Sequence, residues 1–426
     1  MTNAINIITG TPFSATFNNG TNTFTIAGHD YTNLFVTNAI LTVLGGTPNG
    51  GYQKVTSSTF TGGNTVVTVT SYSVDTTFPG PTTFSTGTGI VLLMTNVASP
   101  AGFTWTTLTT GFEADGNYSD LTYQNGLWVI STVTGTGVRG FVLTSPDRTT
   151  WTKSLLPVAA TGIQYMSKPQ FGNGVWVISV NITDGSDLIF TSPDTVTWTQ
   201  RSWGFAGTNN DVAISPYGNG TFVAVQTFGS GGGGAQYATS PDGITWTMQT
   251  AFNAGQWQPG NAFNAGNGNG GFIFDGTQFV TFVTLPSASV NNAVTSTDGI
   301  NWTPSTTTYN NSPAGLAFDG THYVMGFASG DSGFIGTNPL LINTPITFAD
   351  VFSDTENLAF GGGSWARVYD ADTAVDSSPN GTTWTADAST AGGSATLYSV
   401  AFGQSHFIAT GLFFPGNTSF AMVRAA

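Results

Sequence analysis

TSPDGITWT, residues 239–247, recurs along the chain and decides its fold. TSPDRTTWT stands at 144–152, TSPDTVTWT at 191–199, TSTDGINWT at 295–303 and SSPNGTTWT at 377–385. Two looser copies, ASPAGFTWT at 98–106 and TPITFA at 344–349, extend the series. Its aromatics are Trp105, Trp151, Trp198, Trp246, Trp302, Phe348 and Trp384, which by subtraction lie 46, 47, 48, 56, 46 and 36 residues apart. A repeat of this length is one supersecondary unit, and such units must stack to bury a shared core.

The content of one unit is clearest around 211–250. An alternating strand leads to the turn Tyr217-Gly218-Asn219-Gly220, and a second strand follows. A Gly-rich loop, a third strand, the turn Pro241-Asp242-Gly243 and a fourth strand complete it. Four short strands per repeat are the pattern of a β-propeller blade. The first turn forms its own series: Asn125-Gly126, Asn173-Gly174, Asn219-Gly220, Asp275-Gly276, Asp319-Gly320, Gly362-Gly363 and Gly403-Gln404. Asn-Gly and Asp-Gly suit tight hairpins, whose central residues take positive φ. Two series of seven imply seven blades. The last unit stops one strand short, and 103–108 supplies the strand that closes the ring.

Only 7% of the 426 residues are charged, and the net charge is −14 with 8 Lys and Arg. Such a chain has little with which to neutralise phosphates, so nucleic acid and anionic membranes are not expected partners. It contains no cysteine, which excludes disulfides and thiolate metal sites. No apolar run approaches the roughly 20 residues of a membrane helix, and the N-terminal stretch MTNAINIITGTPF lacks the features of a secretory leader. No cofactor or metal is expected.

Residues 1–97 lack the repeat. Alternating β-branched segments separated by Gly-rich turns predict a small antiparallel sandwich or barrel there. FTIAGHDYTNLFVTNAILTV with GYQKVTSSTFTGGNTVVTV resembles a small β-module of bacteriophage tail and fibre proteins. That resemblance implies attachment to other virion proteins through 1–97. The fold expected is therefore all-β: an N-terminal β-sandwich over 1–97, then a seven-bladed β-propeller over 98–426 closed by its first strand.

SPDGITW resembles the Asp-box of sialidases and related propellers, with one residue fewer between Asp and Trp. Asp147, Asp194, Asp242 and Asp298 match its Asp, whereas Asn380 and Ala101 do not. A short acidic side chain in a turn accepts backbone N–H groups, and the following Trp packs between units. The sialidase resemblance would also imply an arginine cluster and a Glu-assisted nucleophile. Arg139, Arg201 and Arg367 are the arginines to weigh, with carboxylates at Glu113, Asp115, Asp354 and Glu356. Nothing in their spacing marks a constellation, and His29, His322 and His406 lie far apart.

Ligand contact is expected on the longer loops between second and third strands and between units, where binding residues concentrate. Trp257, Phe252 and Phe263 lie in one such link, Trp203 in another, and Tyr118 on the same face. Aromatic rings among Asn and Gln suit a glycan, or they anchor their own loops. The function expected is a phage virion structural protein, as tail fibre, tail tip or head decoration, adhering to a host-surface glycan. Further copies of the chain are another partner to test. A sialidase-like hydrolase and a secreted propeller lectin are the alternatives.

Overall fold

The computed structural model describes residues 6–7, 13–18, 21–27, 40–44, 52–61, 64–72, 87–96, 104–108, 116–134, 139–158, 162–182, 187–203, 212–226, 237–249, 258–259, 271–285, 290–327, 332–349, 355–369, 375–389, 394–414 and 418–425. Among these residues every regular element is a β-strand. The chain divides into two compact units, Met1–Ala101 and Gly102–Ala426.

The first unit holds one seven-stranded sheet. Its strand Gly87–Asn96 pairs with Phe13–Asn18 along one edge and with Ile40–Leu44 along the other, so the strand order returns on itself. Of the two forms expected, sandwich or barrel, the returning strand order is that of the barrel, and it replaces the two facing sheets of a sandwich. Register shifts at Ala15/Phe17 and Val55/Ser57 mark irregularities of the kind that bend a strand and deepen its twist. The strand Gly87–Asn96, at ten residues, is long enough to serve two partners at once. Phe24 and Val67, paired across the sheet, are fully buried.

The second unit contains seven sheets among the described residues. Sheets 1 to 6 lie within 116–155, 163–201, 212–249, 258–309, 313–347 and 355–386. Sheet 7 takes Ser394–Gly403, His406–Phe414 and Thr418–Ala425, and its fourth strand is Thr104–Thr107. That strand pairs antiparallel with Thr418–Ala425, setting Thr107 against Met422 and Thr106 against Val423. In sheets 1 to 6 neighbouring strands are antiparallel and follow chain order, whereas in sheet 7 a short fifth strand, Ala388–Ser389, runs parallel to Thr104–Thr107. In sheets 2 and 4 the first position is split between two short strands on one partner.

Apolar side chains fill the spaces between consecutive sheets. Trp198 joins a cluster with residues of sheets 1 and 2, Trp246 of 2 and 3, Trp302 of 3 and 4, Trp384 of 5 and 6, and Trp105 of 6 and 7. Trp151 packs with Leu121 and Trp128 of sheet 1 and with Ala401, Ile408 and Ala421 of sheet 7. Between sheets 4 and 5 the place is taken by Ile342, which is fully buried.

The position of Ile342 corrects the assignment of Phe348 to the aromatic series. Phe348 follows the fourth strand Thr344–Thr347, whereas Trp198 precedes its fourth strand, Thr199–Arg201. In sheet 5 the turn Asn338-Pro339-Leu340-Leu341-Ile342 occupies the Asp-turn position, and Asn338 Oδ1 accepts the N–H of Leu340. An aliphatic residue stands there in place of an aromatic, and Phe348 is the next ring along the chain. Phe348 instead lies 4.9 Å from Trp384, ring to ring, at the interface with sheet 6.

The hairpin series needs two adjustments. Positive φ falls on both central residues at Asn125-Gly126, Asn173-Gly174, Asn219-Gly220 and Gly362-Gly363, and at Gln404-Ser405 rather than Gly403-Gln404. At 275–278 the N–H groups of Thr277 and Gln278 donate to Asp275 Oδ1, and at 319–322 those of Thr321 and His322 donate to Asp319 Oδ1. These two turns are closed by a carboxylate, and only Gly276 and Gly320 need positive φ there.

Candidate functional site

The Asp turns are built alike. Ser145 Oγ donates to Asp147 Oδ1, which accepts the N–H groups of Thr149 and Thr150 at 2.9 and 2.7 Å. Asp194, Asp242 and Asp298 repeat this arrangement with their own serines. Asn380 repeats it without the charge. The residue after each carboxylate or amide takes positive φ: Arg148, Thr195, Gly243, Gly299 and Gly381. Its carbonyl accepts the indole N–H of the repeat tryptophan at 3.0–3.3 Å.

The N–H groups of Thr150 and Thr149 hold the Asp147 carboxyl well below the usual range, and those of Thr197 and Val196 do the same for Asp194. For Asp298, burial pushes upward, but the Asn301 and Ile300 donors outweigh it and bring the value to about 2. These carboxylates stay ionised and are spent on the backbone. Among the described residues no three His, Asp or Glu side chains converge as metal ligands.

The arginines are engaged as well. Arg367 is fully buried, 2.9 Å from Asp376, with its guanidinium over the rings of Phe348 and Tyr369 at 4.2 and 4.7 Å. It cannot serve an open face, which corrects its selection as a carboxylate-binding candidate. Arg201 donates through Nε to Thr191 Oγ1 on the neighbouring strand. His322 contacts Asp319, and His406 contacts the Gln404 carbonyl, both inside hairpin turns. His29, Glu113, Asp115 and Asp354 lie outside the described residues, as does the side chain of Glu356.

Of the aromatics expected to meet a ligand, Trp203 is described. It is half-buried, its indole N–H donates to the Asp187 carbonyl at 2.9 Å, and its ring lies 6.2 Å from that of Trp246. These contacts anchor the link after sheet 2. Trp257, Phe252 and Phe263 lie outside the described residues, as does the side chain of Tyr118.

The described residues also line an open cavity of about 460 Å³ whose wall draws on all seven sheets: Gln124, Lys168, Pro216, Asp275, Phe318, Asn357 and Phe402 are among its lining. Asp275 and Gly276 belong to a first hairpin turn, so the cavity reaches the end of the unit that carries those turns. The loop face on which a ligand was expected is the other one. Asp120, Asn357 and Ser399 hold equivalent places, paired with Ser131, Val368 and Thr410 on the second strands of their sheets, whereas in sheet 2 that place belongs to Ser167, bonded to Ser179, and Lys168 follows it. Lys168 and Asn357 line the cavity, while Asp120 accepts bonds from Tyr165 Oη and Ser399 Oγ. None of these residues belongs to a turn motif, so the sequence does not mark them.

A scan against protein families finds no match, and neither does a sequence search of curated proteins. Solved structures are similar in fold. A streptogramin B lyase shares 10% identity, covering 77% of this chain and 100% of its own, at a TM-score of 0.57. A catalytically inactive virginiamycin B lyase from Staphylococcus aureus, solved with quinupristin, shares 10% identity over 76% of this chain and 100% of its own, at 0.54. At these identities the likeness extends to the β-propeller fold alone.

Proposed function

We propose that the seven sheets of the second unit are the blades of one ring, closed by Thr104–Thr107, and that the protein is a structural component of a bacteriophage particle. In this reading residues 1–97 join it to other virion proteins, and the ring presents its longer loops to a host-surface glycan. Three features support the ring. The strand from the start of the unit completes the sheet at its end. Apolar packing joins sheet 1 to sheet 7 as it joins the other neighbours. Hairpin side chains also reach equivalent carbonyls on the next sheet: Asn173 to Pro241, Asn219 to Thr297 and Gln404 to Pro146. The last of these runs from sheet 7 to sheet 1.

The observation that carries the structural role is where the ionisable groups go. Asp147, Asp194, Asp242, Asp298, Arg367 and Asp376 are all consumed by turns and sheet interfaces. That is the economy of a rigid display frame. Immunogold labelling of intact particles with antibody against the second unit tests the proposal. Gold at the tail supports host recognition, and gold on the head supports a decoration role. Particles that contain other virion proteins and carry no gold would sink it. Release of sugar from host envelope, abolished by Glu356→Gln, would favour the hydrolase instead.

A further inference from the structure

We infer that the cavity shared by the seven sheets is a binding site for a small carboxylate-bearing molecule, of about the size of one sugar ring, held by Lys168 and Asn357. This stands apart from the virion reading and lies on the opposite side of the unit from the loops that reading uses. The volume, about 460 Å³, falls in the range of small-molecule sites.

Asn357 is fully buried, yet neither its amide nitrogen nor its amide oxygen finds a partner. Buried amides are nearly always satisfied, so this donor and acceptor on a cavity wall call for a polar occupant. Lys168, half-buried, lines the same pocket from sheet 2 and offers ammonium donors there. Burial pushes its amine below the ordinary lysine range, and the Asp120 charge only partly opposes that. Asp120 is itself engaged by Tyr165 and Ser399. A carboxylate entering the cavity would supply the counter-charge that Lys168 has in short measure.

The pocket wall carries Gln124, Gln170, Lys168 and Asp275 beside the apolar rings of Phe318 and Phe402. Asp275 is committed to its own hairpin, accepting the N–H groups of Thr277 and Gln278 and the Tyr323 hydroxyl, which leaves Lys168 as the charged group to meet an occupant.

Calorimetric titration of the full chain with acetate, glycolate and glucuronate, each against a neutral counterpart such as glucose, tests the site. The expected result is binding of at least one acid, about tenfold or more tighter than its neutral counterpart, and weakened at least tenfold by Lys168→Met. Asn357→Leu, which removes an unsatisfied amide without opening space, should weaken the same acid while leaving the fold intact. Failure of all three acids to bind would overturn the proposal and leave the cavity to water. Equal affinity for acid and neutral probe would overturn it too, as would full affinity in Lys168→Met. The acid-versus-neutral comparison needs no variant, so a folding defect cannot mask the answer.

Discussion

At the scale of single residues, the Asp turn shows one backbone solution met by different side chains. Its second residue takes positive φ whether it is Arg148, Thr195 or Gly243. A β-branched residue pays for that conformation, so Thr195→Gly should stabilise the protein by about 0.5 kcal/mol once glycine's extra unfolded-state freedom is offset. The reverse change should not be neutral. A Cβ on Gly243 would lie 2.6 Å from Val177 Cγ2 on the preceding sheet. Gly243→Ala therefore combines strain with overlap and should cost roughly 2–3 kcal/mol in urea unfolding. The carboxylates add a pH dependence whose sign follows from Asp298. Its folded pKa of about 2 lies below the ordinary 3.8, so its stabilising contribution is whole above 3.8 and disappears as pH falls through about 2. Asn380 makes the same backbone bonds with no charge to lose. Asp298→Asn should thus be less stable than the parent at neutral pH, and the gap should close as pH falls from 3.8 to about 2. A gap that stays constant across that window would mean the charge contributes nothing to the turn.

At the scale of elements, each first hairpin is clasped by two rings. Tyr123 with Trp128, Phe171 with Trp176, Tyr217 with Phe222, Phe274 with Phe279, Phe318 with Tyr323, Phe360 with Trp365 and Phe402 with Phe407 lie 4.3–5.1 Å apart. The second member of each pair was legible in the sequence because it follows an obvious turn. The first was not sought, although it stands five residues earlier every time. A glycine after the first ring of one hairpin then makes room for the next sheet's ring, as Gly172 does for Tyr217 and Gly403 for Tyr123. The closing strand is held by a different device. Trp105 sends its indole N–H to Asp387 Oδ2 at 3.0 Å, and its sequence copy, ASPAGFTWT, lacks the acidic residue found in the other turns. Ser377 Oγ donates to Asp387 Oδ1, and Arg424 lies 3.9 Å away with its guanidinium over Phe407. Burial lowers the Arg424 pKa to about 10, with the Asp387 charge opposing, so the group remains cationic at neutral pH. Asp387→Asn would leave that buried cation without its counter-charge and should cost about 3–5 kcal/mol. Trp105→Phe, which removes one donor and keeps the ring, should cost about 1–2 kcal/mol in the same denaturant series.

At the scale of the whole molecule, the period of the repeat made the sheet count legible, because each SPDG turn carries its own punctuation in Ser, Asp, Gly and Trp. The interior was not legible. Lys168 and Asn357 are separated by 189 residues and meet one cavity only through the arrangement of the sheets. For the first unit the sequence left sandwich and barrel both open, since alternation reports which side of a strand is buried and says nothing of where the sheet's edges go. The proposed closure of a ring by Thr104–Thr107 can be tested by permuting the chain. If Thr104–Thr107 belongs to sheet 7, its covalent link to residues 109–115 is incidental to its place in the fold. A circular permutant of the second unit can begin near 109 and carry 102–108 after Ala426 through a short flexible linker. The strand would then approach Thr418–Ala425 as the next hairpin of the same sheet, antiparallel as before, with Thr106 facing Val423. Both versions bury the same surfaces, and the permuted loop is short enough that its closure entropy changes by less than about 1 kcal/mol. The permutant should therefore melt in one cooperative transition within a few degrees of the unpermuted unit. A third version that ends at Ala426 and lacks 102–108 should be far less stable, because it strips Trp105 from the interface of sheets 6 and 7 and leaves Arg424 and Asp387 half uncovered. Equal melting of the truncated and intact units would show that the strand closes nothing.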